Sequence, residues 1–497
     1  MQITSSILRA IIIIRLKPKT DNEMRTSIEY FKIVGLFGKK DINLSFKNKV
    51  QIYVGENGLG KTTVLNLLYY LLSCKFEEMM KINFGSVTIK LNGRGYEFTK
   101  TQIKGYVDQN KPNHRRSGLY RHFREMLKPE NITELKKIID NPKFERFEKI
   151  HKVSDYLRQI GRYISNITSG DQYMVIYEVV ATYEETEHIA KYIQVLGEEK
   201  LKILYFPTYR RIEIDKENIR KSIQKDYDDD DGMYSIFESQ EIDEQRKSIA
   251  RISKFIHMGM DDFVEHKDRI LERISDISRV KLDELSTDII KREIQGYPED
   301  TKIKSSDLDT IKTLLSRTHI GLNSSDLNKV VNAIQSGDIY KEKNKVMLYV
   351  LRRLLDIYKS YEVYDMGMKD FVEVCNHYLN DKKLVYDEVG LQLYIKFNDE
   401  EERSNIGFEL LSSGEKQIIS MLSEVFLDTE NDFIFLIDEP ELSLSIFWQK
   451  MLIPDIMKSQ RCSMLFAVTH SPYIFDNEYD SCAVGMNEFI EFNKNRN

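Results

Sequence analysis

The stretch GENGLGKT at residues 55–62 has the residue types and spacing of a loop that binds nucleotide phosphates, the Walker A motif. A strand-like run precedes it and a helical pattern follows it. Its glycines allow backbone N–H groups to point at phosphate oxygens, and the helix N-terminus adds partial positive charge. Lys61 is predicted to reach the β- and γ-phosphates of ATP, and Thr62 to coordinate Mg²⁺. The predicted ATP-binding residues are Gly55, Glu56, Asn57, Gly58, Leu59, Gly60, Lys61, Thr62 and Thr63.

A second motif, FIFLIDEPE at residues 433–441, is an apolar run that ends in two adjacent carboxylates. A buried strand with this ending indicates a bound cation, because unpaired buried charge is costly. Asp438 is predicted to hold Mg²⁺ through its water shell, as in a Walker B motif. Glu439 is predicted to be catalytic, polarising the water that attacks the γ-phosphate.

The apolar run FAVTHSP at residues 466–472 ends at Thr469 and His470. A lone histidine is more often structural than catalytic. This one follows the acidic strand by about thirty residues, roughly the length of one crossover connection and its strands. That distance places it at the same edge of a parallel sheet, so His470 is predicted as a second catalytic residue beside the γ-phosphate.

The glycine turn LSSGEKQ at residues 411–417 lies more than 350 residues after the phosphate loop. A serine of this turn can cap the helix that follows it. The turn also resembles the signature motif of ABC-type ATPases, with Ser413 and Glu415 in place of the usual glycine and glutamine. The resemblance implies that the turn binds ATP held by the phosphate loop of a partner subunit. The residues implied to bind ATP in trans are Ser412, Ser413, Gly414 and Glu415.

The elements that carry these motifs indicate an α/β fold. A strand and phosphate loop come early, a long glycine-poor helical stretch follows, and the signature, acidic strand and histidine come late. The resemblance implies an ABC-type P-loop ATPase head split by a long helical insertion. The predicted divisions are an N-terminal extension at 1–23, a first head segment at 24–214, a helical arm or lobe at 215–383 and a second head segment at 384–497.

Composition narrows the class of protein. With 41% hydrophobic and 31% charged residues and a net charge of −6, the chain has no global basic field. Any contact with nucleic acid is therefore expected to be local, and residues 114–128 are the candidate, although a solvated helix face explains them as well. Four scattered cysteines without CxxC spacing indicate reduced thiols in a cytoplasmic protein. We expect no membrane association.

A finer resemblance concerns YFPTYRRIE at 205–213, FIHMGMDDFVEH at 255–266 and the stretch from 371 to 397 that leads to the signature. Together they look like PtuA, the ATPase subunit of Septu and retron-associated anti-phage systems. DEPELSL at 438–444 is similar to the ATPase modules of overcoming-lysogenization-defect nucleases, RecF-like proteins and defence ATPases. There Glu441 and Ser443 are predicted to line the seam of a dimer.

The resemblance implies a function and partners. It implies a slow ATPase that acts as sensor and scaffold, forms a homodimer or higher homo-oligomer through its heads, and controls a separate nuclease. An HNH protein like PtuB is the expected nuclease, and a retron reverse transcriptase with its RNA–DNA product is a further possible partner. Only residues 471–497 follow His470, so we expect no nuclease site in this chain. The alternatives are an AriA-like ATPase of the PARIS system and a RecF- or SMC-like repair ATPase acting directly on DNA.

Overall fold

The structure is a computed structural model. It describes residues 27–56, 58–109, 122–123, 126–160, 170–199, 201–207, 254–255, 260–298, 303–304, 307–317, 323–398, 406–429 and 431–492. Asn57, predicted to bind ATP, lies outside these residues, as do the predicted extension at 1–23 and most of the basic stretch 114–128.

The described strands form three sheets. The strands in chain order are β1 (Ile28–Leu36), β2 (Lys40–Ser45), β3 (Val50–Val54), β4 (Ser86–Leu91), β5 (Arg94–Thr99), β6 (Lys202–Phe206), β7 (Lys254–Phe255), β8 (Lys382–Asp387), β9 (Gln392–Phe397), β10 (Phe433–Asp438), β11 (Cys462–Thr469), β12 (Ala483–Gly485) and β13 (Ile490–Phe492). An antiparallel sheet has the order β13-β2-β1-β4-β5, and β8 pairs with β9 in a hairpin. The third sheet is parallel throughout, in the order β12-β3-β11-β10-β6-β7.

The described helices fall before, within and after the long glycine-poor stretch. In chain order they are α1 (Lys61–Leu72), α2 (Phe76–Met80), α3 (Lys100–Gln109), α4 (Pro129–Ile139), α5 (Arg146–Gln159), α6 (Gly170–Glu199), α7 (Met260–Gln295), α8 (Leu308–Arg317), α9 (Ser324–Gln335), α10 (Lys345–Lys359), α11 (Glu362–Cys375), α12 (Ser413–Phe426) and α13 (Ile446–Met457). None of these helices is long and apolar enough to cross a lipid bilayer.

The parallel sheet is covered on both faces, which explains its continuous apolar strands. All six residues of β10 are buried. Successive side chains of a strand point to opposite faces, and β10 follows this rule. Phe435 and Ile437 pack with the helices beyond residue 260, whereas Ile434 and Leu436 pack with α1 and the antiparallel sheet. The α/β class predicted from sequence is confirmed.

Helices fill most of the described part of the predicted insertion. The longest, α7, turns Ile270, Ile274 and Leu285 into the core shared with α10 and the signature helix α12. Within the same range, β7 pairs with β6 and extends the parallel sheet. The limits of the four predicted divisions stay a prediction, and β7 shows that the range 215–383 contributes to the head sheet as well.

A buried ionic network fixes the signature helix to this sheet. The Lys202 ammonium at the start of β6 lies 2.8 Å from a carboxylate oxygen of Glu424 in α12 and 2.8 Å from one of Asp428. His266 of α7 lies 3.5 Å from the other Glu424 oxygen. Lys202 and Glu424 are almost fully buried. The network therefore joins strand β6, helix α12 and helix α7.

We expect Lys202→Met to lower the free energy of unfolding by about 3–5 kcal/mol, because it leaves a buried carboxylate without its ammonium. Thermal unfolding followed by circular dichroism measures the loss. The matched control is Lys191→Met on α6, whose ion pair with Glu187 lies at the surface, where ion pairs add little to stability. Equal melting temperatures for the two variants would contradict the role given to the network.

Candidate nucleotide site

The phosphate loop connects β3 to α1, and glycine is required at two of its positions. Gly58 has φ of 83° and Gly60 has φ of 92°, both in the left-handed region that other residues rarely adopt. Gly60 caps α1, which begins at Lys61 and has neither a side-chain cap nor an acidic residue in its first turn. The first N–H groups of the helix therefore have no competing anion of their own first turn, which suits a phosphate.

Lys40, at the start of β2, forms hydrogen bonds to the phosphate loop. Its ammonium donates to the carbonyl oxygens of Gly58, at 3.0 Å, and Leu59, at 3.4 Å. These bonds hold the outer side of the turn and leave its N–H groups for a ligand. No sequence pattern singled out Lys40, because its contact with the loop depends on how the two sheets are packed.

The predicted metal ligands meet although 376 residues separate them in sequence. Thr62 Oγ1 donates to Asp438 Oδ1 at 3.0 Å, and Asp438 is fully buried. Among the described residues, no cluster of three or more His, Cys, Asp or Glu side chains is arranged to hold a metal. Mg²⁺ in nucleotide sites is held by one or two protein oxygens together with phosphates and water, so a hydroxyl and one carboxylate fit it.

The predicted catalytic residues converge on Lys61. Its ammonium lies 3.7 Å from Glu439 Oε1 and 2.5 Å from His470 Nε2, and it donates to the Gly55 carbonyl at 2.7 Å. His470 Nε2 is also 3.3 Å from Glu439 Oε1. One ring nitrogen cannot accept from an ammonium and donate to a carboxylate at once. His470 therefore pairs with only one of the two groups at a time.

Burial and the neighbouring carboxylates shift the pKa of Lys61 in opposite directions. Burial lowers the pKa of Lys61, and the carboxylates of Glu439, Glu441 and Asp438 oppose that shift. The net effect is a pKa below the ordinary value of lysine, because desolvation outweighs the attraction of the three carboxylates.

Glu439 has an unusual backbone conformation. Its φ of 48° and ψ of 58° lie in the left-handed region, while its N–H still donates to the Val468 carbonyl at 2.9 Å. The chain therefore turns out of β10 directly after Asp438, and the two adjacent carboxylates reach different partners, Thr62 and Lys61. Residues held in this region cost about 1–3 kcal/mol and are concentrated at functional sites.

A serine of the signature turn caps α12, as the sequence allowed. Ser412 Oγ accepts from the Glu415 N–H at 3.3 Å, and Glu415 Oε2 accepts from the Ser412 N–H at 2.7 Å. Glu415 is buried and also lies 3.4 Å from Lys382. Ser412 and Ser413 are exposed. Binding of a partner's ATP by Ser412, Ser413, Gly414 and Glu415 stays a prediction.

Glu441, predicted to line a dimer seam, makes its contacts with its own chain. Its carboxylate accepts hydrogen bonds from Thr469 Oγ1 at 2.8 Å and from the backbone N–H groups of His470, at 2.6 Å, and Ser471, at 3.2 Å. The side chain of Ser443 lies outside the described residues. Sequence reasoning missed this contact because it links a turn to the end of a different strand.

Comparison with known proteins agrees with this geometry. A family model described as an AAA ATPase domain matches residues 28–475. The chain belongs to this ATPase family. The family assignment covers all three converging segments and the signature turn, so the ATPase predicted from sequence is confirmed at the family level. No curated protein sequence matches the chain.

Two solved structures that resemble the ATPase are Smc head domains. One, from Pyrococcus furiosus, has an extended coiled coil and is bound to the C-terminal domain of ScpA; it is 12% identical over 94% of this chain and 96% of its own, with a TM-score of 0.30. The other, from Pyrococcus yayanosii, has a coiled coil and joint; it is 12% identical over 90% and 93%, with a TM-score of 0.29. TM-scores this low support no inference about the function of this chain.

Proposed function

We propose that this ATPase is the sensor and scaffold subunit of an anti-phage system, which binds MgATP between two copies of itself and controls a separate nuclease. The observation that carries the catalytic part is the convergence of Lys61, Glu439 and His470 beside the Thr62–Asp438 pair. Three segments far apart in sequence bring together a phosphate-binding cation, a base, a hydrogen-bonding ring and two oxygen ligands for a metal.

In the proposed mechanism, Lys61 leaves its contacts with Glu439 and His470 and binds the β- and γ-phosphates. Thr62 and Asp438 would hold Mg²⁺, which would supply charge neutralisation to the phosphates. Glu439 is then free to orient and polarise the attacking water. His470, released from the ammonium, donates a hydrogen bond to the γ-phosphate.

The dimer is part of this proposal because Ser412 and Ser413 of the signature turn are exposed and lie at a helix N-terminus. Backbone N–H groups at such a terminus bind anions. In a two-fold symmetric dimer each turn meets the γ-phosphate on the partner, so ATP joins the two heads. Hydrolysis removes that link and biases the interface towards its open state.

The defence role rests on the sequence resemblance to PtuA at residues 205–213, 255–266 and 371–397. The same resemblance makes an HNH protein the proposed nuclease effector. A reverse transcriptase with its RNA–DNA product is the proposed further partner in a retron setting.

Purification of the tagged chain from its native host, with identification of protein and nucleic acid, tests this role. We expect an HNH nuclease to co-purify with the wild-type chain. The amount of nuclease recovered with Lys61→Ala should differ, because this variant is expected not to bind ATP. A reverse transcriptase with RNA–DNA would place the system among retrons. A TOPRIM nuclease would favour the PARIS alternative. Recovery of the chain with DNA alone, in a salt-dependent manner, would contradict the proposal and favour a repair ATPase.

A further inference from the structure

We infer that Glu441 is the positioning residue that holds His470 in place for ATP hydrolysis, an inference that rests on the ATPase site proposed above. Glu441 belongs to the turn Pro440–Ser443, which follows the base directly. Its carboxylate accepts a hydrogen bond from the backbone N–H of His470. It therefore acts through the histidine.

The need for such a residue arises where the parallel sheet ends. The pairing of β10 with β11 runs to Asp438 and Val468, and the Glu439 N–H makes the last bond, to the Val468 carbonyl. In a parallel strand, alternate residues direct their backbone groups to the same neighbour. The N–H of His470 thus points to the β10 side, where the left-handed conformation of Glu439 has turned the chain away.

The Glu441 carboxylate takes the position of the missing acceptor. One of its oxygens accepts from the N–H groups of both His470 and Ser471, and the other accepts from Thr469 Oγ1. An ionised carboxylate only accepts hydrogen bonds, so its two oxygens can accept from all three donors at the same time. Hydrogen bonds to a charged acceptor are roughly twice as strong as neutral ones. Thr469 at the end of β11 and the two residues that follow it are therefore fixed against the turn after Glu439.

A second contact closes the same unit. Ser471 Oγ donates to Gln449 Oε1 at 2.6 Å, and Gln449 Nε2 donates to the Leu444 carbonyl at 2.9 Å. Gln449 is buried in α13, which follows the turn. These contacts hold the backbone at His470. The ring of His470 lies 3.3 Å from Glu439 Oε1.

Glu441→Ala is expected to lower kcat for ATP about 10- to 100-fold, the usual cost of losing a residue that orients a functional ligand. The Kd for a fluorescent ATP analogue should stay within about threefold of wild type, since Glu441 is not in the phosphate loop. Glu441→Gln, whose amide oxygen can still accept from His470, is expected to retain more activity than the alanine variant. Glu478→Ala, which removes an exposed carboxylate eight residues after His470, is the matched control.

A double-variant cycle separates positioning from general support of the fold. If Glu441 acts through His470, then Glu441→Ala costs nothing further once His470→Ala is present. Equal losses in both backgrounds would overturn the inference, as would wild-type kcat in Glu441→Ala or a loss of ATP affinity that parallels the loss of kcat. Absence of hydrolysis by the unmodified chain would overturn the proposed function together with this role; hydrolysis unaffected by Glu441→Ala overturns the role alone.

Discussion

Glu439→Gln is expected to reduce ATP hydrolysis by about 100-fold or more while ATP affinity stays within about threefold of wild type. The amide has nearly the same shape as the carboxylate but cannot take a proton from the attacking water. Glutamine meets the same cost as glutamate in the left-handed conformation at this position, so the turn after β10 is preserved. Lys61 keeps an oxygen within reach, because the amide oxygen replaces Oε1.

The second part of this expectation concerns assembly. If ATP joins two heads, a variant that binds ATP without hydrolysing it should accumulate as a dimer. Sedimentation velocity with MgATP measures this, and the same variant without nucleotide gives the baseline. Lys61→Ala should remain monomeric under both conditions because it lacks the cation for the β- and γ-phosphates.

The control for the charge change is Glu478→Gln, the same substitution at an exposed site. It should hydrolyse ATP at the wild-type rate. Unchanged hydrolysis by Glu439→Gln would refute the assignment of Glu439 as the base. Lost hydrolysis without dimer accumulation would keep the base and refute the role of ATP as the link between heads.

Contiguous patterns made much of the fold and site predictable from sequence. The apolar run of β10 predicts a strand with two covered faces, and the structure places Asp438 at its end against Thr62; the role of Asp438 as a metal ligand stays a prediction. The glycines and Lys61 of the phosphate loop form a motif whose geometry follows from its own residues. The edge shared by parallel strands then brings His470 to the same place.

Contacts between distant segments were not predictable in the same way. Glu441 carries no motif that links it to Thr469 and His470, and Lys40 carries none that links it to Gly58. The left-handed conformation of Glu439 is also invisible in sequence, because no glycine or asparagine marks it. Such features depend on where one strand ends relative to another, which local propensity does not encode.

The signature turn admits a test that separates action in trans from a capping role. Ser413→Glu adds a negative charge to an exposed position in the first turn of α12. A negative charge interacts favourably with the dipole at a helix N-terminus, so the substitution should not harm folding. In the dimer the same charge meets a partner's γ-phosphate. At about 4 Å and an effective dielectric constant of about 20, that repulsion is on the order of 4 kcal/mol. We therefore expect hydrolysis to fall by about 100-fold or more, whereas the neutral Ser413→Gln keeps most of its activity.

Mixing two inactive variants then decides which subunit the turn serves. Lys61→Ala and Ser413→Glu are each expected to be inactive, yet a dimer with one copy of each has one site with an intact lysine and an intact signature turn. Half of the sites in such mixed dimers are intact, so at most about half of the wild-type rate per subunit should return, although neither variant hydrolyses ATP by itself. A turn that acts on its own subunit's ATP, or that only caps α12, restores nothing on mixing. Recovery of hydrolysis would therefore assign Ser413 to the partner's site, and its absence would leave Ser412 and Glu415 with the capping role that their hydrogen bonds already show.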